Sequence, residues 1–325
     1  MFRKIEISIQ TILFAAAFLG GAWLLFQIKD ILFLVFLSFI LMTAIYPMVL
    51  WLEKFKIPRA ISTVVIYFVV LGTLALVIGS SIPALVTQST TLAVTLPATA
   101  ARVLPYWNID FQTLTGQIAP LSANVLSVTL GIFSNIFTTF TVLIITFYLI
   151  VERRRAEATL VEFLGASIGK KVTGILRAIE GRLGAWVRGE LLLMTFIGVL
   201  TYIGLTLLHV EFALPLALIA GLLEIVPMIG PIISAVPAVL VGLSVSPLFA
   251  LSVVALYIIV QQLENNIFVP IVMKKSVGLS PLVTILALMV GARLGGIAGA
   301  ILAVPLVLVL QVVLTALLGT KNPAA

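Results

Sequence analysis

Three ionisable side chains lie inside long apolar stretches of the sequence, where charged residues are rare: Glu224, Glu264 and Arg293. Burying such groups in an apolar medium is costly, so they usually face a cavity or pair with one another. One hypothesis is that Glu224 or Glu264 carries a proton that moves with transport of a solute. The alternative is that one of them neutralises Arg293 as a structural ion pair. The sequence leaves both interpretations open.

Four amide side chains flank Glu264 on adjacent helical turns: Gln261, Gln262, Asn265 and Asn266. Their donors and acceptors could bind a polyhydroxylated solute, or solvate an ion, without adding charge. Amides in apolar helices also form hydrogen bonds between helices, which is the structural alternative. We therefore expect this group either to contact a substrate or to join neighbouring helices.

Prolines and glycines interrupt the apolar sequence directly after Glu224, in the pattern Pro227-x-x-Gly230-Pro231. A proline removes a backbone donor and clashes with the preceding helical turn, so one continuous helix is disfavoured here. Two short helices that meet at a turn fit better. Unwound backbone inside a membrane is tolerated only where it is buried in protein or lines a watery cavity. Transporters place their substrates at such broken helices.

A second interruption runs from Gly291 to Gly296. Gly291, Gly295 and Gly299 recur every four residues, a spacing that lets another backbone approach closely. We expect packing or hinge roles here, rather than substrate contact, for these three glycines, for Gly296 and for Pro305.

The residue types needed for enzyme chemistry are scarce. The chain has no cysteine and a single histidine, His209, so the sequence predicts no metal centre and no catalytic residue. The two aspartates, Asp30 and Asp110, fall in predicted loops. There is no ATP-binding motif either. We therefore expect no enzyme activity and no cofactor, and a proton or sodium gradient as the energy source.

Composition fixes the broad class. Of 325 residues 62% are hydrophobic and 10% charged, and the mean hydropathy is +1.29, values typical of an all-α polytopic membrane protein. The net charge of +7 comes from basic residues that lie between apolar runs, so it indicates membrane orientation rather than nucleic-acid binding.

The apolar runs and their breaks predict about eight membrane-embedded segments, including two helical hairpins broken by proline or glycine. We divide the chain into N-terminal transmembrane helices (1–82), an external segment of short surface helices (83–124), a transmembrane helix (125–151), a basic cytoplasmic amphipathic segment (152–190) and a transport core (191–325) with broken hairpins at 211–246 and 281–318.

Apolar residues recur at helical spacing in the basic segment, from Ile168 to Val187, with charges on the opposite face. Such a helix could lie on the anionic surface of the lipid bilayer. It could equally pack on the cytoplasmic face of the protein itself.

The distribution of basic residues predicts that both termini are cytoplasmic, in a prokaryotic cytoplasmic membrane. In that orientation sixteen of the nineteen basic residues face the cytoplasm and only Lys29 and Arg102 face outside. Residues 211–246 must then begin and end outside, as two full crossings or as a re-entrant hairpin. Residues 281–318 begin and end inside.

The two hairpins share a loose pattern that suggests an inverted repeat. Pro215-Leu216 corresponds to Pro281-Leu282, and Ala235-Val236-Pro237 corresponds to Ala303-Val304-Pro305. Inverted repeats with broken helices are typical of alternating-access transporters. Chance matches of prolines in apolar sequence would give the same pattern.

The motif Glu224-x-x-Pro227-x-x-Gly230-Pro231, with Pro237 and the run from Gln261 to Leu310, closely resembles the autoinducer-2 exporter family of bacterial and archaeal permeases. The matching positions in that run are Asn266, Pro270, Gly278, Pro281, Gly296, Gly299 and Pro305. The resemblance implies export of autoinducer-2, or sodium/proton antiport as described for some relatives, by a homo-oligomer, with a pentamer expected. Ser280 stands where the family often has histidine.

The leading functional hypothesis is a secondary transporter that moves a small polar solute, similar to autoinducer-2, or an ion. Its partners would be that solute and the lipid bilayer. The alternatives are an oligomeric channel, which needs no coupled carboxylate, and a sodium/proton antiporter.

Overall fold

The computed structural model describes residues 9–76, 136–273 and 279–318, together with Gly79 and Pro83. All regular structure in these ranges is helical. The elements are α1 (Ile9–Gln27), α2 (Lys29–Glu53), α3 (Arg59–Leu76), α4 (Ile136–Leu207), α5 (Ala213–Leu223), α6 (Ile229–Val245), α7 (Pro247–Leu263), a π-helical turn (Glu264–Phe268), α8 (Val269–Met273) and α9 (Pro281–Leu318). Apart from Pro83, the predicted external segment at 83–124 lies outside the described residues.

Five helical stretches in the described part of the chain are long and apolar enough to cross a membrane. They are α2, α3, α4, the continuous stretch Pro247–Val272, and α9. Large apolar side chains point outward along them; Phe68 is 77% exposed and Phe137 is 81% exposed. An exterior of this kind is stable in lipid, where no water has to be ordered around it. The predicted class of all-α polytopic membrane protein is confirmed.

Helix α4 folds back on itself at Gly165, whose φ of 76° and ψ of 159° are not helical. The two arms run antiparallel, because Arg153 pairs with Glu180 and Glu157 pairs with Arg177 across them. The basic segment at 152–190 therefore spans a helical hairpin, and the predicted amphipathic stretch from Ile168 to Val187 lies on its second arm.

The apolar stripe of the second arm of α4 packs on the protein itself. It belongs to a buried cluster that joins α2, α4 and α9: Ile40, Ile179, Leu183, Trp186, Leu302 and Leu308. Near the tip of the hairpin, by contrast, Ile168 is 60% exposed. Of the two predicted locations for this stripe, the structure favours the protein's own face for residues 179–186.

The first predicted break separates α5 from α6 through the turn at residues 224–228, where Met228 has a positive φ of 67°. Helix α5 has 11 residues, a length of about 17 Å at 1.5 Å per residue. That falls well short of a hydrocarbon core about 30 Å thick. A re-entrant hairpin therefore fits α5 better than two full crossings.

The second predicted break lies inside α9 at Gly295 and Gly296, where the backbone leaves helical geometry and Gly296 has a φ of 60°. The chain reverses there, so that Gly291 and Gly299 meet across the hairpin. A Cβ at either position would clash with the backbone of the other, whereas a Cβ at Gly295 would meet nothing within 4 Å. Gly291 and Gly299 thus form the close contact, and Gly295 and Gly296 form the turn. The inverted repeat stays a prediction.

A second buried cluster ties the region after Glu190 to the broken hairpin. It includes four fully buried residues, one each from α4, α5, α6 and α7: Leu205, Leu216, Ala238 and Val253. These helices form the frame in which the candidate site lies.

Candidate transport site

Three glutamates lie buried within this frame. Glu190 is 4% exposed, Glu224 is 1% exposed and Glu264 is 4% exposed. Glu190 lies on the second arm of α4, Glu224 follows the last residue of α5, and Glu264 begins the π-helical turn. Three separate elements therefore each bring one carboxyl group to the interior.

The close packing of α4 on α5 brings Glu190 towards Glu224. A Cβ at Gly221 would lie 2.7 Å from the Met194 carbonyl oxygen and 3.2 Å from the Gly198 Cα atom. Only glycine permits this approach, because any larger side chain would hold the two backbones apart. The helices run antiparallel here, so the turn before Met194 faces the turn after Gly221. Those turns carry the two glutamates.

The π-helical turn sets the position of Glu264. An extra residue in a helical turn shifts the direction of the side chains that follow, and such turns are frequent at functional sites. The Phe268 ring stacks on the Phe196 ring of α4, with centroids 4.8 Å apart, which fixes the turn against α4. The Gln261 amide Nε2 donates a hydrogen bond to Glu264 Oε2 at 2.9 Å. Glu264 is therefore held by its own helix and faces inward.

The three carboxyl groups interact with one another, and no basic side chain of the described residues pairs with them. The carboxyl groups of Glu224 and Glu264 are neighbours, and Glu190 is close enough to influence Glu224 electrostatically. Glu190 Oε1 and Glu224 Oε2 are buried and have no hydrogen-bond partner among the residues that the structure describes. Every ion pair in the described part of the chain joins other residues. A buried carboxylate without a partner is strongly disfavoured, so this cluster must hold protons or admit a cation.

Arg293 lies apart from this cluster. It is exposed beside the turn of α9, and among the described residues it forms no ion pair with Glu224 or Glu264. The alternative hypothesis, an ion pair between Arg293 and Glu224 or Glu264, is therefore not found among the described residues.

The remaining predicted residues divide into two groups. Half-buried Pro227 lies in the turn after Glu224, and buried Gly230 and half-buried Pro231 lie in the first turn of α6, where Gly230 packs closely on the Leu223 carbonyl. On the other side, Gln262, Asn265 and Asn266 are exposed. Asn266 Nδ2 donates to the Gln262 main-chain oxygen at 2.8 Å and to its side-chain oxygen at 3.0 Å. Of the four amides, only Gln261 reaches the carboxylate cluster.

Sequence reasoning missed Glu190, which it assigned to the end of the basic segment. The available signal was its position directly before the uninterrupted apolar run that starts at Leu191. Two further buried hydroxyl groups, Thr201 Oγ1 on α4 and Tyr257 Oη on α7, have no hydrogen-bond partner within the described ranges. Tyr257 precedes Glu264 by two helical turns, about 10 Å at the rise of an α-helix. Buried polar atoms thus extend from the cluster along the α4–α7 interface.

The fold and this site define a polytopic helical membrane protein with unpaired carboxyl groups beside a broken helix. Residues 12–319 match the family model described as AI-2E family transporter. The chain belongs to this family of membrane transporters, and the resemblance found in the sequence is confirmed.

Similar proteins carry names of the same kind. The chain is 32% identical over 308 residues to the Putative transport protein YueF of Bacillus subtilis (strain 168), covering 87% of this chain and 83% of YueF. It is 29% identical over 310 residues to Putative transport protein YrrI of the same organism, covering 90% and 87%. These relatives match it over most of both lengths.

Proposed function

We propose that this chain is a secondary transporter in which Glu224 and Glu264, assisted by Glu190, couple movement of a small polar solute to a proton. One observation carries the proposal. Glu224 is almost fully buried beside Glu264, and no donor in the described part of the chain bonds to its Oε2 atom. Two adjacent buried carboxyl groups without a basic partner cannot both be ionised cheaply, so they share protons.

Proton occupancy of the cluster would bias the conformation of the hairpin. Glu224 lies at the junction between α5 and the turn that leads to α6, so its charge acts where the helix is broken. A charged cluster favours a conformation open to water, and a neutral cluster favours the closed one. A site whose protonation differs between two conformations shifts their equilibrium. This is the physical requirement for coupled alternating access.

The proton fits this cluster better than a metal cation does. Among the described residues, no group of three His, Cys, Asp or Glu side chains is arranged to hold a metal ion. A sodium ion would need additional oxygen ligands, which the backbone of the turn at 224–228 could supply. Sodium coupling, and with it sodium/proton antiport, is therefore the alternative that the experiment described below tests in a separate series.

The solute we propose is a small polar molecule of the autoinducer-2 type, because the chain belongs to the AI-2E family. Gln261 offers the amide nearest to the carboxyl groups. The proposal places the protein in the prokaryotic cytoplasmic membrane with both termini inside. It also includes the homo-oligomer implied by the family resemblance.

The test uses purified protein in liposomes with an imposed pH gradient and a pH-sensitive dye inside the vesicles. Sodium and autoinducer-2 are added in separate series. Glu224→Gln and Glu264→Gln should each reduce the rate of solute-dependent proton movement at least about tenfold. A tenfold loss of rate corresponds to about 1.4 kcal/mol of activation free energy. Glu162→Gln, at an exposed position of the basic segment, is the matched control and should retain it.

Solute flux that ignores the pH gradient and survives both substitutions would overturn proton coupling and favour a channel. Proton movement that responds to sodium, and not to autoinducer-2, would replace the solute carrier with a sodium/proton antiporter.

A further inference from the structure

A basic cavity of about 250 Å³ lies where α2 meets the two arms of α4. Three arginines line it, Arg153 from the first arm and Arg177 and Arg188 from the second. Thr43 and Tyr46 of α2 form the opposite wall. The cavity is separate from the carboxylate cluster and has the opposite charge.

The charges around the cavity do not balance. Arg153 Nη2 lies 2.5 Å from Glu180 Oε2, and Arg177 Nη2 lies 2.6 Å from Glu157 Oε2. Glu157 is also 3.5 Å from Arg153, so both carboxylates are already engaged. Arg188 is exposed and forms no ion pair within the described residues. Three guanidinium groups against two carboxylates leave one positive charge.

The wall formed by α2 holds the arginines in place. The Arg153 guanidinium lies over the Tyr46 ring, 4.8 Å from its centroid, a cation–π contact. The Arg188 Nη1 atom and the Thr43 carbonyl oxygen each lie 3.1 Å from the position that a Cβ would take at Gly184. The absence of a side chain at Gly184 thus allows Arg188 to lie against α2.

Apolar surface continues from the cavity along α2. Pro47 lines the cavity, and the following residues Met48 and Trp51 are 47% and 57% exposed. Because α2 is one of the helices apolar enough to span the membrane, these exposed side chains are suited to contact with lipid. A molecule seated here would meet cationic groups at one end and an apolar helix surface at the other.

We propose that this cavity binds the phosphate group of an anionic phospholipid, with Arg188 as its charge partner. A phosphodiester carries one negative charge, which matches the one unbalanced positive charge. Arginine suits phosphate because its planar fork donates two parallel hydrogen bonds. Basic pockets between membrane helices recognise lipid headgroups in this way. The apolar surface at Met48 and Trp51 provides the place for an acyl chain, which free phosphate would leave unused.

The test measures the thermal unfolding of the full chain in a neutral detergent. Short-chain phosphatidylglycerol, phosphatidylcholine of the same chain length and inorganic phosphate are titrated separately. A ligand that binds the folded state raises the unfolding temperature saturably. We expect saturation with phosphatidylglycerol at lower concentration than with either of the other two.

Arg188→Gln should weaken the apparent affinity for phosphatidylglycerol about tenfold, which corresponds to about 1.4 kcal/mol. Lys170→Gln removes the same charge from an exposed position of the same hairpin and should change the affinity less than about twofold, since diffuse attraction between exposed charges is weak. Equal losses in the two variants would overturn the proposal, because the attraction would then be diffuse. Equal responses to the two lipids would overturn it as well. An equal response to inorganic phosphate would assign the cavity to a free anion and overturn the lipid assignment.

Discussion

Glu224 and Glu264 lie side by side in the interior of the protein, although 40 residues separate them in the sequence. The end of α5 holds one and the π-helical turn holds the other. No lysine or arginine of the described chain is paired with either one. Two ionised carboxylates at this separation would repel each other, so the energetic effects of changing the two residues should not be independent.

The first prediction concerns this coupling. The effects of Glu224→Gln and Glu264→Gln on the free energy of unfolding should not add. The change in the double variant should differ from the sum of the two single changes by about 1 to 2 kcal/mol, because removal of one carboxyl group removes its repulsion of the other. The measurement is a double-mutant cycle from thermal unfolding in detergent. The pair Glu224→Gln with Glu162→Gln should add within about 0.5 kcal/mol. Additivity of the first pair would mean that the two buried groups do not interact.

The second prediction concerns the packing of α4 on α5. Gly221→Ala should destabilise the protein by about 1 to 3 kcal/mol, because the new Cβ would force the Met194 backbone away. Since this contact sets the distance between Glu190 and Glu224, proton-coupled flux should fall as well. Gly174→Ala is the control, as a Cβ there meets nothing within 4 Å. Normal flux in Gly221→Ala would show that the position of Glu190 is unimportant for coupling.

The third prediction separates the two kinds of glycine in α9. Gly291→Ala should lower stability by about 1 to 3 kcal/mol, because the added methyl group meets the Gly299 backbone across the hairpin. Gly295→Ala should be tolerated, since its φ of −133° suits any residue and the space around it is open. Thermal unfolding of the two variants is the measurement. Similar losses of stability in Gly291→Ala and Gly295→Ala would show that the two halves of the hairpin do not make their close contact at Gly291.

The fourth prediction ranks the ion pairs of the basic hairpin. Arg153 is 19% exposed and donates to both carboxylate oxygens of Glu180 and to the Tyr46 hydroxyl. Arg153→Gln should therefore cost about 1.5 to 3 kcal/mol of unfolding free energy. The side chain of Arg177 is 63% exposed, so Arg177→Gln should lower the free energy of unfolding much less than Arg153→Gln does. Raising the salt concentration should reduce the effect of Arg177→Gln further. A larger loss of stability in Arg177→Gln than in Arg153→Gln would contradict the packing described for the hairpin.

Several features were determined by the sequence alone. The long apolar runs indicated helices that cross a membrane, because a helix of about 20 apolar residues spans the bilayer and satisfies its backbone hydrogen bonds internally. The positions of Pro227, Pro231 and Gly296 marked both breaks, since proline lacks a donor and glycine permits a positive φ. Glu224 and Glu264 stood out because carboxylates are rare in apolar sequence.

Only the tertiary structure decided which of these residues meet. The contact of Gly221 with Met194 brings Glu190 towards Glu224, and the same fold leaves Arg293 exposed beside the turn of α9. Gly165 bends the basic segment, and α2 and α9, rather than lipid, cover its apolar stripe at Leu183. Helical periodicity indicates which face of a helix is apolar, but the partner that covers that face is chosen by contacts between residues far apart in the chain. For that reason the elements could be predicted from the sequence and the composition of the carboxylate cluster could not.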